Sequence, residues 1–159
     1  MSNDQNMPEI DVDDMLDMSM DDIEDLPPGG IPCSGFYTFK VEFKQEKAKE
    51  KGKRDQLYMQ LTVDAIGELA EGSDPSEAGV GQQFRQYYNL VDKEGKRSEK
   101  GLQYLKRDLE PFAAHFEQGT LKGAMQAAND CMITAILKRR KAKKEDQMDS
   151  FTLSDVTVL

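Results

Sequence analysis

Tryptophan is absent from this sequence, histidine occurs once, and cysteine occurs twice, at positions 33 and 131. Each scarcity removes a class of chemistry. A lone His115 and two distant cysteines lack the clustered spacing of a zinc site. The chain carries no GxxxxGK[ST] phosphate loop, and no Ser or Cys sits in a nucleophile motif. The Asp-x-Asp pairs near the start fail as a calcium loop, because Met15 replaces a ligand and the loop glycine is missing. Catalysis, a metal and a cofactor are therefore not expected. An apolar run of roughly 18 residues, the length a helix needs to cross a bilayer, is also lacking. The N-terminus has neither a basic region nor an apolar one, so no signal peptide is read there. Two distant cysteines then read as reduced thiols, and the expected setting is the cytoplasm.

Positive charge is missing from one end. Residues 1–26 hold ten Asp and Glu and neither Lys nor Arg. The whole chain has 30 acids and 21 bases, so residues 27–159 hold 20 acids against 21 bases. The formal charge of −9 therefore belongs to an appendage, and the body is nearly neutral with local basic clusters. A like-charged run without aromatics cannot bury enough apolar surface to offset its chain entropy. The expected organisation is a disordered acidic tail over 1–26, a boundary at Pro27-Pro28-Gly29-Gly30, and one domain over 27–159.

The body begins with period-2 patterning. Tyr37, Phe39, Val41 and Phe43 alternate with Thr38, Lys40, Glu42 and Lys44, which predicts a half-buried strand. Asp55 to Ile66 repeats the pattern, with Leu57, Met59, Leu61, Val63 and Ala65 inward and Tyr58, Gln60, Thr62 and Asp64 outward. A third strand is expected over Gln82 to Val91, with Arg85 and Tyr87 outward. The period then changes. Leu102, Leu105, Leu109, Phe112 and Phe116 predict an amphipathic helix capped by Ser98 and stopped at Gly119, with Pro111 kinking or dividing it. Thr120 is expected to cap a short second helix to about Ala128. Cys131 to Leu137 and Phe151 to Leu159 complete five strands.

Three strands, a helical segment and two strands is the connectivity of the OB-fold. This is a mainly β, five-stranded, partly open Greek-key barrel that binds through strands 2 and 3 and through its 1–2 and 4–5 loops. The two densest basic segments, KQEKAKEKGKR at 44–54 and KRRKAKK at 138–144, fall on those two loops. Lysines track phosphates, and exposed aromatic rings stack on bases. The expected nucleic-acid-binding residues are Lys40, Lys44, Lys47, Lys49, Lys51, Lys53, Arg54, Tyr58, Gln60, Arg85, Tyr87, Lys138, Arg139, Arg140, Lys141, Lys143 and Lys144. Exposed rings are useful only where base faces are open, which points to single strands rather than duplex.

The stretches LPPGG, GFYTFKVEFKQEKAKEKGK, QLYMQLTVDA, GQQFRQYYNL, GLQYLKRDLEPF and FTLSDVTVL give the chain, over about residues 26–159, a resemblance to the small single-OB-fold single-stranded DNA-binding proteins of bacteriophage replication modules. That resemblance implies sequence-independent coating and protection of single-stranded DNA in replication or recombination, in a host bacterial cytoplasm. It implies a cleft containing Tyr58, Arg85 and Tyr87, and phage or host replication proteins as partners of the acidic tail. In bacterial proteins of like function the acidic tail is C-terminal, whereas here it comes first. The competing reading takes the tail as the active part, an acidic DNA mimic that blocks a host DNA-binding protein.

Overall fold

The computed structural model describes residues 11–49, 54–144 and 147–159. A single helical turn, α1 (Val12–Leu16), comes first. Five antiparallel strands, β1 (Gly35–Glu46), β2 (Gln56–Leu69), β3 (Gln83–Tyr88), β4 (Cys131–Arg140) and β5 (Ser150–Val158), form one sheet in the order β3-β2-β1-β4-β5. β1 is the hub. Along its whole length it pairs with β2, and from Gly35 to Val41 it also pairs with β4. β3 joins β2 only over Leu57–Thr62, at the far end of β1 from β4. Three strands therefore meet at one end of β1, and the β4–β5 hairpin is laid on at the other.

The sheet curls into an OB-like half-barrel. β3 and β5 are its two edges, about 19 Å apart if the sheet lay flat. Yet the Phe84 ring on β3 meets the Phe151 ring on β5 edge-to-face at 5.0 Å between centroids. The closing seam is thus made by side chains instead of a hydrogen-bonded ladder. Phe39 on β1 packs edge-to-face on Phe84 at 5.5 Å, so an aromatic series crosses the interior.

Two further helices cap this interior. α2 (Glu99–Phe116) buries Leu105, Leu109 and Phe112, and α3 (Leu121–Ala128) buries Ala124 and Ala128. The caps fall where the pattern places them: Ser98 accepts from the Gly101 amide and Thr120 from the Gly123 amide. Pro111 does not divide the helix. α2 runs through it as one element, because the buried Leu109 and Phe112 on either side anchor that turn in the core. The stop comes earlier than Gly119, at Glu117, which adopts φ 55° and donates its amide to the Ala113 carbonyl. Gly101 lets α2 sit against the exit of β3. A Cβ there would lie 1.8 Å from the Asn89 carbonyl oxygen, so only glycine permits this approach.

The alternation on β1 holds in full, but that on β2 breaks after Val63. Irregular pairing between Phe39↔Val63 and Thr38↔Ala65 inserts an extra residue, which turns Ala65 to solvent instead of the core. Such a bulge bends the strand and re-aims the side chains beyond it. β1 and β4 each extend further than the apolar pattern, to Glu46 and Arg140, and β3 is shorter, ending at Tyr88.

Residues 27–34 are clamped to the body. Gln82, fully buried, donates to the Gly30 carbonyl at 2.9 Å and accepts from the Gly79 amide at 3.0 Å. The Tyr37 hydroxyl donates to the Cys33 carbonyl, and burial first, then Cys33, pushes its pKa well up. Cys33 and Cys131 are both free thiols. Ahead of this clamp, α1 is capped by Asp11 and followed by a 3-10 turn at Met20–Asp22, and neither buries a residue. Of the tail expected to be disordered over 1–26, residues 1–10 lie outside the described residues. Among the described residues no helix is long and apolar enough to cross a membrane.

Candidate nucleic-acid interface

The strand register brings the outward residues into rows across β1, β2 and β3. Lys44 stands opposite Tyr58, and Tyr58 opposite Tyr87; two residues along, Glu42 stands opposite Gln60, and Gln60 opposite Arg85. All six face away from the core, as alternation requires. The strand period therefore gathers Tyr58, Gln60, Arg85 and Tyr87 on one patch.

Exposure differs from expectation. Tyr87 is 46% exposed, but Tyr58 is only 1% exposed and Gln60 only 6%. Tyr58 is covered by its neighbours on the same face. The Tyr87 ring lies 5.3 Å away at a 51° tilt, and the Arg85 guanidinium lies 4.4 Å over the Tyr58 ring. Arg85 is fixed there by donating to Gln60 Oε1 at 3.2 Å and to the Tyr87 hydroxyl at 3.3 Å. The Tyr58 hydroxyl donates to Glu46 Oε1 at 2.7 Å, and this bond, followed by burial, raises its pKa.

Beside this patch an open groove of about 760 Å³ runs between the β1–β2 loop and the end of β3. Lys47, Lys49, Arg54 and Tyr87 line it, together with Glu46, Asp55 and Asn89. The Ala48 amide donates to Asp55 Oδ1 at 2.9 Å, and Arg54 donates to the Val91 carbonyl at 2.8 Å, so the loop base is pinned to the sheet and to the turn after β3. Lys51 and Lys53 lie outside the described residues.

Lys40 and Lys44 are not free cations. Glu42 lies 3.6 Å from Lys40 and 3.2 Å from Lys44, and Asp130 lies 3.5 Å from Lys40. A phosphate here would have to displace carboxylates.

KRRKAKK is not wholly a loop. Lys138, Arg139 and Arg140 belong to β4 and pair with Thr152, Phe151 and Ser150 of β5. Lys138 and Arg140 are exposed. Arg139 points to the other side, where its guanidinium pairs with Glu77 and donates to the Ile31 carbonyl at 3.2 Å. Its backbone amide donates to the Ser34 hydroxyl at 2.9 Å. Arg139 is thus a structural cation, because the strand period puts it on the face of Leu137 rather than on that of Lys138. Lys141, Lys143 and Lys144 belong to the turn, where Lys141, Lys143 and Lys144 are exposed and the Ala142 amide donates to Asp149 Oδ1 at 2.9 Å. The two basic loops leave opposite ends of β1, since Glu46 precedes one and Arg140 follows Leu137, the partner of Gly35. They flank the outer face from its two ends instead of sharing one rim.

Two features escaped the sequence pattern. Glu42 and Glu46 place carboxylates inside the basic patch, legible in the alternation only once charges of both signs are tracked. Tyr104, 44% exposed on α2, carries Arg107 at 5.1 Å and Lys100 at 5.9 Å from its ring, a helical i−4, i, i+3 set. Among the described residues, no three His, Cys, Asp or Glu side chains gather as a metal site requires. Comparison with models of known families, with curated proteins and with solved structures finds no match.

Proposed function

We propose that this protein is an OB-fold binder of single-stranded DNA that coats the strand largely without regard to sequence. The observation that carries the reading is the outward cluster of Tyr58 on β2 with Arg85 and Tyr87 on β3, opening into a groove lined by Lys47, Lys49 and Arg54. Aromatic faces accept any unpaired base, at roughly 1–3 kcal/mol per stacked base, while lysines and arginine follow the phosphates. A duplex offers the phosphates but hides the base faces. The mainly β half-barrel with the β3-β2-β1-β4-β5 order supports the reading, because an OB barrel uses the face of its strands 2 and 3 for ligands. The likeness of the sequence stretches to phage single-stranded DNA-binding proteins extends it to a role in phage replication or recombination.

The test is a salt titration of the full chain with labelled oligothymidylate and with duplex of equal length. Tight single-strand binding is expected, falling with salt at a slope of about −0.7 per phosphate neutralised. Changing Lys47, Lys49 and Arg54 together to Gln should lessen the slope by about 2. Equal binding of duplex, or an unchanged slope, removes the groove from the reading. Absence of all DNA binding favours the acidic-mimic alternative.

A further inference from the structure

We infer that Phe36 forms a second base-stacking subsite, at the far end of the same sheet face from Tyr87, so that one single strand lies along β1 between the two basic loops. This inference rests on the single-strand reading above and fixes where the strand continues. Phe36 shares the outward face with Thr38, Lys40, Glu42 and Lys44 by simple alternation. It is 42% exposed, and its register partner across β4, Ile136, is 40% exposed. The two border an open, mainly apolar groove of about 820 Å³ that also includes Leu69 and Lys138.

The ring is supported by its floor. Gly67 of β2 lies beneath it, and a Cβ there would approach Phe36 Cδ1 to 2.8 Å. The missing side chain lets the ring lie on backbone and turn a face to solvent, as a stacking platform needs. Charge sets the path of the strand. Glu68 and Glu71 stand on the β2 side of the groove, and Lys138 stands on the β4 side. Phosphates are therefore accommodated along Lys138 and on toward Arg140 and Lys141, which are exposed. The rise along β1 from Phe36 to Lys44 is about 26 Å. That separation exceeds what a very short oligonucleotide spans and lies within the range of about 4–16 nucleotides that OB-folds occupy.

Length dependence provides the experiment, on the full chain with oligothymidylates of about 4 and about 12 nucleotides. Phe36→Ala is expected to weaken the longer one by about tenfold and to change the shorter one, held at the Tyr87 end, by less than about twofold. Phe36→Trp introduces the chain's sole tryptophan. Its fluorescence should be quenched by the longer oligonucleotide and not by the shorter. Unchanged affinity of Phe36→Ala for the longer oligonucleotide, or a tryptophan signal blind to it while both lengths bind, overturns the inference and leaves the single-strand reading intact. A tryptophan signal that responds to removal of residues 1–26 and not to DNA also overturns it, and assigns the groove to the chain's own acidic segment. Failure of the unmodified protein to bind either length rejects the underlying reading itself. Should Phe36→Ala not fold, the Phe36→Trp variant decides alone.

Discussion

The Arg85 guanidinium lies 4.4 Å from the centre of the Tyr58 ring and covers it. Cation–π attraction at a partly shielded site is worth about 1 kcal/mol, and the bonds from Arg85 to Gln60 and Tyr87 hold the arrangement in register. In the free protein Tyr87 is therefore ready to stack, whereas Tyr58 becomes available only if Arg85 swings away to a phosphate.

That difference separates two variants that look equivalent in the sequence. Tyr87→Ala should cost roughly 1–3 kcal/mol of single-strand affinity and leave the melting temperature nearly unchanged. Tyr58→Ala should lower stability by about 2 kcal/mol, because the ring is 1% exposed and its loss deprives Glu46 of a donor and Arg85 of the surface it lies on. Thermal melts beside anisotropy titrations check both. Equal melting temperatures for the two variants would refute the covered geometry.

Arg139 should behave unlike its neighbours. Arg139→Ala removes a cation paired with Glu77 and is expected to cost about 1–2 kcal/mol of stability, discounted because the pair is partly solvated. Its salt slope for DNA should match that of the unmodified protein. Lys138→Ala with Arg140→Ala should do the reverse, reducing the slope by about 1 while stability holds. A slope change for Arg139→Ala alone would place that residue in the footprint.

Alkali should unfold the protein through two buried phenols. The Tyr88 hydroxyl donates to Asp108 Oδ2 at 2.6 Å, and burial, then Asp108, pushes the Tyr88 pKa far up. Burial and Cys33 do the same for Tyr37. The fold thus favours the neutral phenols. Their contribution is complete below the unfolded value of about 10 and is lost as pH rises above it, when the unfolded chain ionises and the folded one does not. Absorbance titration of the phenolates against circular dichroism should show Tyr37 and Tyr88 ionising together with loss of structure. Full ionisation of all five tyrosines in a folded protein would contradict this.

The acidic segment joins the body beside the basic end of β4, since Arg139 donates to the Ile31 carbonyl and Gln82 to that of Gly30. A run of acids tethered at that end of β4 is presented to its basic residues at a high effective concentration. Deleting residues 1–26 should tighten single-strand binding at low salt, and the gain should shrink as screening increases. Identical low-salt affinities of the full and shortened chains would eliminate self-competition.

Local chemistry alone determined the order of elements, the inward face of β1, the helix caps at Ser98 and Thr120, and the grouping of Arg85 and Tyr87 on one side of β3. These follow from side-chain period and capping, which act over a few residues. Only the tertiary structure decided what depends on neighbours distant in sequence. The bulge near Ala65 arises where β2 must follow a curling β1, and no period announces it. Tyr58 is covered because the strand register sets Arg85 and Tyr87 beside it. Arg139 is taken by Glu77 because the curled sheet brings the Pro75–Glu77 turn against the end of β4. Phe36 stays open because Gly67 gives it a floor and no described element lies over it. Exposure is a property of packing: the side-chain period assigns a residue to a face, and the fold decides whether that face is free.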